Sequence, residues 1–168
     1  GIDRTGREPQ MRAVVAEEPG VVVVKDVYDP IPEPEEVLVR VVSASICNMT
    51  DAHVADGTFE GYLDYYPQIL GHEVHGTVVE RGKDVTSLQC GDRVVLYSPS
   101  GGFCEYVKFS PKAHWGNWAR VPSNLPDREA SLCEMLHGAY VWMVYPAAVE
   151  DTEDVLLIGQ GPMGLTAT

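Results

Sequence analysis

The sequence predicts a mainly β fold: a partly open β-barrel with a few helices, followed by the first β-turn-α of an α/β unit. Three observations carry this expectation. Short Val-rich stretches at 11–16, 21–28 and 36–44 are separated by turn residues, as in small all-β barrels. Two further alternating Val-rich strands lie within 71–95, with glycines at fixed offsets. Lastly, the apolar run Asp154-Val155-Leu156-Leu157-Ile158 enters Gly159-Gln160-Gly161-Pro162-Met163-Gly164, which reads as a buried parallel strand feeding a glycine-rich turn and a helix start.

Taken in order, residues 1–10 are polar and aperiodic and read as a loose arm or an expression remnant. Residues 11–153 form the main domain, and 154–168 open a second. Pro30, Pro32 and Pro34 punctuate the gap before the third strand, where proline cannot continue a central strand. Residues 45–53 read as a loop just past a strand end. Residues 54–70 read as irregular, with Tyr62, Tyr65 and Tyr66 either shaping a cleft or packing beneath the loop. A strand over 101–107 takes Cys104 into the core. Residues 108–126, with His114, Trp115 and Trp118, read as a surface loop packed by its tryptophans. Asp127 is the expected N-cap of a helix over 128–145, which Pro146 ends or kinks.

Composition narrows the function classes. Lys and Arg number 12 against 25 Asp and Glu, a net charge of −13, which argues against nucleic acid or an anionic membrane as partner. Hydrophobic residues make up 45% and charged residues 22%, ordinary values for a soluble globular protein. The most apolar run, 139–149, is interrupted by Pro146 and is too short to span a membrane. No signal peptide pattern opens the sequence. Cys47, Cys90, Cys104 and Cys133 are scattered without a disulfide or Cys-x-x-Cys pattern, so a reducing, cytoplasmic setting is expected.

The chemistry concentrates in Gly71-His72-Glu73, followed by two residues, Gly76, five residues, Gly82, two residues and Val85. Neutral imidazole is the commonest zinc ligand, and a neighbouring carboxylate can tune the same metal. Gly76 and Gly82 suit places where the backbone needs positive φ or close approach. Cys47 offers a thiolate from a strand end, and Thr50 and His53 follow closely enough to hand a proton towards solvent. Further on, Glu134, Cys133 and His137 share roughly one helix face. The turn Gly159-x-Gly161-Pro162-Met163-Gly164 lets the backbone approach a pyrophosphate at a helix N-terminus.

This pattern closely resembles the zinc signature of the medium-chain alcohol dehydrogenases, over roughly residues 11–168. The resemblance implies a chaperonin-10-like catalytic domain and the start of a Rossmann domain. It implies one catalytic zinc on Cys47, His72 and Glu134, with Cys133 or water as rivals for the third place, and Glu73 beside the metal as a modulating carboxylate. Thr50 would touch the substrate oxygen and His53 would complete a proton relay. Both stand one residue later than the common spacing. Only about six residues occupy the place where many relatives carry a four-cysteine lobe, so no structural zinc is expected. NAD or NADP would lie on Gly159, Gly161, Pro162, Met163 and Gly164. The residue that separates the two cofactors would fall beyond 168. The sequence resembles the N-terminal portion of a longer homo-oligomeric enzyme acting on a small alcohol or carbonyl, with a lean towards polyols, sugars or amino alcohols. The 168-residue chain alone is expected to show no turnover. A zinc-independent reductase of activated double bonds and a non-catalytic binding or assembly module are the alternatives.

Overall fold

A computed structural model describes residues 10–59, 65–97, 101–113, 118–150 and 152–168. Residues 1–9, Tyr62, His114 and Trp115 therefore lie outside the described residues. The chain divides into two compact units, Gly1–Ser131 and Leu132–Thr168.

The first unit is antiparallel β structure, and its ladders follow from the alternation of the sequence. In β1 (Met11–Glu18), Met11, Ala13 and Val15 point inward, while Arg12 is exposed, the two-residue period of a strand with one buried face. It pairs with β2 (Val21–Val27) on one side. The next elements are β3 (Val37–Ser45), the short helix α1 (Thr50–Asp56) and β4 (Gln68–Ile69), which adds to the other side of β1. Then come β5 (Glu73–Arg81), β6 (Arg93–Tyr97), β7 (Tyr106–Phe109) and β8 (Trp118–Arg120). The strands form a three-stranded sheet, β2-β1-β4, and a five-stranded sheet, β7-β3-β5-β6-β8. Neither sheet closes on itself, and an isolated antiparallel bridge pairs Ala13 of β1 with Cys104, just before β7. The expected partly open, mainly β architecture is what the chain adopts.

Valines dominate the core. Val37 and Val39 of β3, Val74 and Val78 of β5 and Val94 of β6 are almost fully buried and pack with Val85, Leu88, Leu96, Val107 and Phe109. Cys104 packs against this cluster, as expected. Trp118 does too, with its ring 6.1 Å from Phe109 and its indole N–H donating to the Pro111 carbonyl at 3.0 Å. Tyr66 packs against a smaller core of Ala16, Val54 and Leu70 and donates to the Val54 carbonyl. Its packing role is thus the one realised.

Four expectations are corrected. The loop over 45–53 contains the start of α1, a seven-residue helix. The single helix over 128–145 is two helices, α2 (Asp127–Ala130) and α3 (Cys133–Val144), with a turn at Ser131 and Leu132 between them. Asp127 is the first residue of α2 rather than its cap, because its carboxylate turns away to Arg93 and His75 instead of the helix N–H groups. Finally, 154–158 is not a strand: Val155, Leu156 and Ile158 are 53%, 84% and 90% exposed. A strand exists only by pairing, and no partner strand stands beside it among the described residues. The glycine-rich turn and the following helix α4 (Pro162–Thr166) do form in this second unit. Among the described residues no helix is long and apolar enough to cross a membrane.

Candidate metal centre

The centre sits where β3 ends and β5 begins. Register places Ser45 opposite Glu73, and Glu73 opposite Tyr97 of β6. Two residues past Ser45 comes Cys47, so antiparallel pairing brings Cys47 to the side of His72 and Glu73. One ligand atom from each of the three lies within 4.8 Å of the others. His72 and Glu73 are buried and Cys47 is half-buried.

Each group is held by a neighbour. Asp51, itself buried, accepts from the Cys47 backbone N–H at 2.8 Å and from His72 Nδ1 at 3.1 Å. A carboxylate accepts rather than donates, so Nδ1 carries the proton and Nε2 is the nitrogen that could bind a metal. That nitrogen lies 3.8 Å from Glu73 Oε1. The Thr50 amide donates to Cys47 Sγ at 3.4 Å, which holds the sulfur beside the start of α1. Tyr97 meets the His72 ring edge-on at 5.4 Å, fixing its plane. Burial pushes the Glu73 carboxyl above its usual range, and the Asp51 charge adds to this. His72 and hydrogen bonds from Ser45 and Cys47 oppose it. A cation placed among these groups would relieve the cost of a buried carboxylate. Thiolate, imidazole and carboxylate together form a donor set suited to zinc.

Residues 33–136 match the family described as the alcohol dehydrogenase GroES-like domain. The chain belongs to this family. Among its relatives, an L-threonine 3-dehydrogenase of Streptomyces avermitilis is 31% identical, over 94% of this chain and 52% of that protein. D-arabinitol dehydrogenase 1 of Uromyces fabae is 32% identical, over 93% and 50%. A putative zinc-binding dehydrogenase of Sinorhizobium meliloti 1021, solved bound to NADP, superposes with a TM-score of 0.80 at 28% identity, covering 94% of this chain and 51% of that one. The chain spans about half the length of the relatives it matches.

The other expected residues are distributed as follows. Thr50 opens α1 beside Cys47. His53, one turn on, is exposed, and its Nδ1 is 2.6 Å from the Thr58 hydroxyl, which donates to Asp56. Gly76 and Gly82 serve close approach: a Cβ on Gly76 would overlap the Arg40 carbonyl, and one on Gly82 the Glu33 and Pro34 carbonyls. Glu134 and Cys133 lie in the first turn of α3, in the second unit, both half-buried, with burial raising the Cys133 thiol. Burial pushes the Cys104 thiol up to about 11, in keeping with a core residue. In the glycine-rich turn, Gly159 has φ +104°, and a Cβ on Gly164 would overlap the Gly159 carbonyl oxygen. The turn therefore folds back tightly on its own helix start.

Sequence reasoning missed three parts of the site. Asp51 was legible as an acid four residues after Cys47, but its partner His72 was not. His75, on the same side of β5 as Glu73 and fully buried, faces the Val94 carbonyl and the Asp127 carboxylate, each at 3.0 Å. Ser45 meets Ser131 at 2.9 Å across 86 residues of sequence. Serine carries no signal for such a contact.

Proposed function

We propose that this chain carries the catalytic metal centre of a zinc-dependent dehydrogenase that exchanges a hydride between a small alcohol or carbonyl compound and NAD or NADP. The observation that carries the reading is the convergence of thiol, imidazole and carboxylate within 4.8 Å, with the other imidazole nitrogen already committed to Asp51. Cys47 Sγ and His72 Nε2 would hold the ion, Glu134 would be the third protein ligand, and Glu73 would act as a modulating carboxylate or transient ligand. Bound there, zinc would supply Lewis-acid polarisation of an alcohol oxygen.

The chain's own groups do the remaining work. Asp51 keeps the His72 ring in one tautomer and orientation. The Thr50 hydroxyl would accept the substrate's proton while giving its own towards exposed His53, which would release a proton to water. Backbone N–H groups around Gly159, Gly161, Pro162, Met163 and Gly164 receive the cofactor's pyrophosphate. On this reading 11–153 is the catalytic domain and 154–168 opens the cofactor domain. The relatives named for L-threonine and D-arabinitol support an amino alcohol or polyol as substrate. The centre takes one zinc, and the short link between β6 and β7, without a cysteine cluster, leaves no place for a structural one. At full length the protein is a cytoplasmic homo-oligomer that binds neither nucleic acid nor membrane.

Metal analysis on protein of confirmed mass tests the assignment. About one zinc per chain is expected, lost in Cys47→Ala. Retention in Glu134→Ala would remove only that ligand. No zinc after reconstitution would leave either a zinc-free reductase or a truncated domain unable to close its site.

A further inference from the structure

We propose that Thr58 and Asp56 are positioning residues for His53, holding its ring as the Nδ1–H tautomer and leaving Nε2 bare to take up a proton. The inference rests on the relay role given to His53 above. The three residues meet because Gly57, with φ +79°, ends α1 and turns the chain back. The Thr58 amide then donates to the His53 carbonyl at 2.9 Å. Its hydroxyl oxygen lies 2.6 Å from His53 Nδ1 and 2.5 Å from Asp56 Oδ1. A hydroxyl has one proton to give, and an ionised carboxylate can only accept. The Thr58 proton therefore goes to Asp56, and the hydroxyl oxygen must accept from the ring. Nδ1 carries a hydrogen, and in the neutral imidazole Nε2 does not.

The carboxylate stays ionised for a local reason. Hydrogen bonds from the Thr58 hydroxyl and from the Thr58 amide, the latter 2.9 Å long, hold the Asp56 carboxyl below the usual carboxylate range. Asp56 is thus a fixed acceptor for Thr58 and not the destination of a relayed proton. The opposite tautomer would carry its hydrogen on Nε2, and the ring could then take a proton only at Nδ1, against Thr58. With Nδ1–H the outcome is different. Uptake at Nε2 makes the ring a donor at both nitrogens, so the bond to Thr58 persists before and after and no side chain has to turn. Among the described residues Nε2 has no hydrogen-bond partner, and the His53 side chain is exposed. A relay histidine needs one bare nitrogen in a fixed orientation. Here the C-terminal turn of α1 supplies it.

Nitrogen-15 NMR of the histidine rings in the 168-residue chain tests this, because protonated and bare ring nitrogens resonate far apart. Spectra are recorded above the ordinary titration range of histidine, with His53→Gln to assign the signals. Wild type is expected to show Nδ1–H at His53. Thr58→Val removes the acceptor, and Asp56→Ala frees the Thr58 proton to turn towards Nδ1. Each is expected to raise the ratio of Nε2–H to Nδ1–H by about threefold or more, and Thr58→Ser, which keeps the hydroxyl, to preserve the wild-type ratio. Asp56→Ala should add nothing in a Thr58→Val background, since its effect passes through that hydroxyl. Nε2–H as the major form in wild type would overturn the inference, whatever the variants do to folding. An unchanged ratio in both single variants, with the α1 amide signals intact, would overturn it too. The measurement uses neither metal nor substrate. Failure of the chain to bind zinc would therefore strike the function proposed above and leave the His53 assignment standing.

Discussion

At the scale of single residues, the candidate centre holds a thiol, an imidazole and a carboxylate together inside a β core. Asp51 acts on two of these groups, through the Cys47 amide and through His72 Nδ1. Asp51→Asn keeps the shape but allows the amide to present N–H to the ring. It is expected to lower zinc affinity by about 10–100-fold, measured by competition with a chelating dye. Unchanged affinity would show that the ring is fixed by Tyr97 and packing alone. Asp127 gives a second expectation, in pH. Hydrogen bonds from His75 and Arg93 hold its carboxyl below the usual carboxylate range. A depressed folded value means that its contribution to stability is complete above the unfolded value, about 3.9, and is lost as pH falls through the folded one. The stability gap between wild type and Asp127→Asn should therefore be flat at neutral pH and close only in acid. A gap that grows as pH falls would contradict this.

At the scale of elements, β3 and β5 carry the site, and Gly76 lets them lie close enough. A Cβ there would overlap the Arg40 carbonyl and the Val39 side chain on the facing strand. Gly76→Ala is expected to cost about 2 kcal/mol through overpacking, read by denaturant unfolding, and to loosen metal binding because Glu73 lies three residues along the same strand. What was legible in the sequence divides along physical lines. Strands β1 and β3 were legible because one face of each is buried and the two-residue period survives in the sequence, and β2 because a run of four β-branched valines favours a strand even where, as here, it alternates between exposed and half-buried positions. The Gly-His-Glu spacing was legible because its glycines answer to backbone contact. Helix α1 was not, since it is short and its preceding residue, Met49, provides no side-chain cap. Nor was the break after α2, because apolar residues continue through Ser131 and Leu132 without a proline or glycine to mark it. The Asp127 misreading has a similar source: local capping preference is outweighed by a bidentate arginine from a strand 34 residues earlier.

At the scale of the whole molecule, order is unevenly distributed, and the difference follows the two chemistries. The candidate metal centre is embedded in ladders: β5 is hydrogen-bonded on both sides and four consecutive residues, Glu73 to Gly76, are buried. Opening it requires breaking core contacts. The fingerprint segment is different. Leu156 and Ile158 are 84% and 90% exposed and no ladder holds them among the described residues, although Gly159 to Gly164 already form the turn and helix start. Local stability tracks buried apolar contacts and protected backbone bonds, so hydrogen exchange on the 168-residue chain should separate the regions. Amides of Val74 to Val78 are expected to exchange only with global unfolding. Those of Val155 to Ile158 should exchange close to the unprotected rate. Protection above about 100-fold at Val155 to Ile158 would mean that these residues have found a pairing partner, such as a second copy of the chain adding strand to strand. In that case oligomeric state and protection would rise together with protein concentration. Independence of concentration, with fast exchange, would establish that the turn holds its shape without its strand, through the close return of Gly164 onto Gly159.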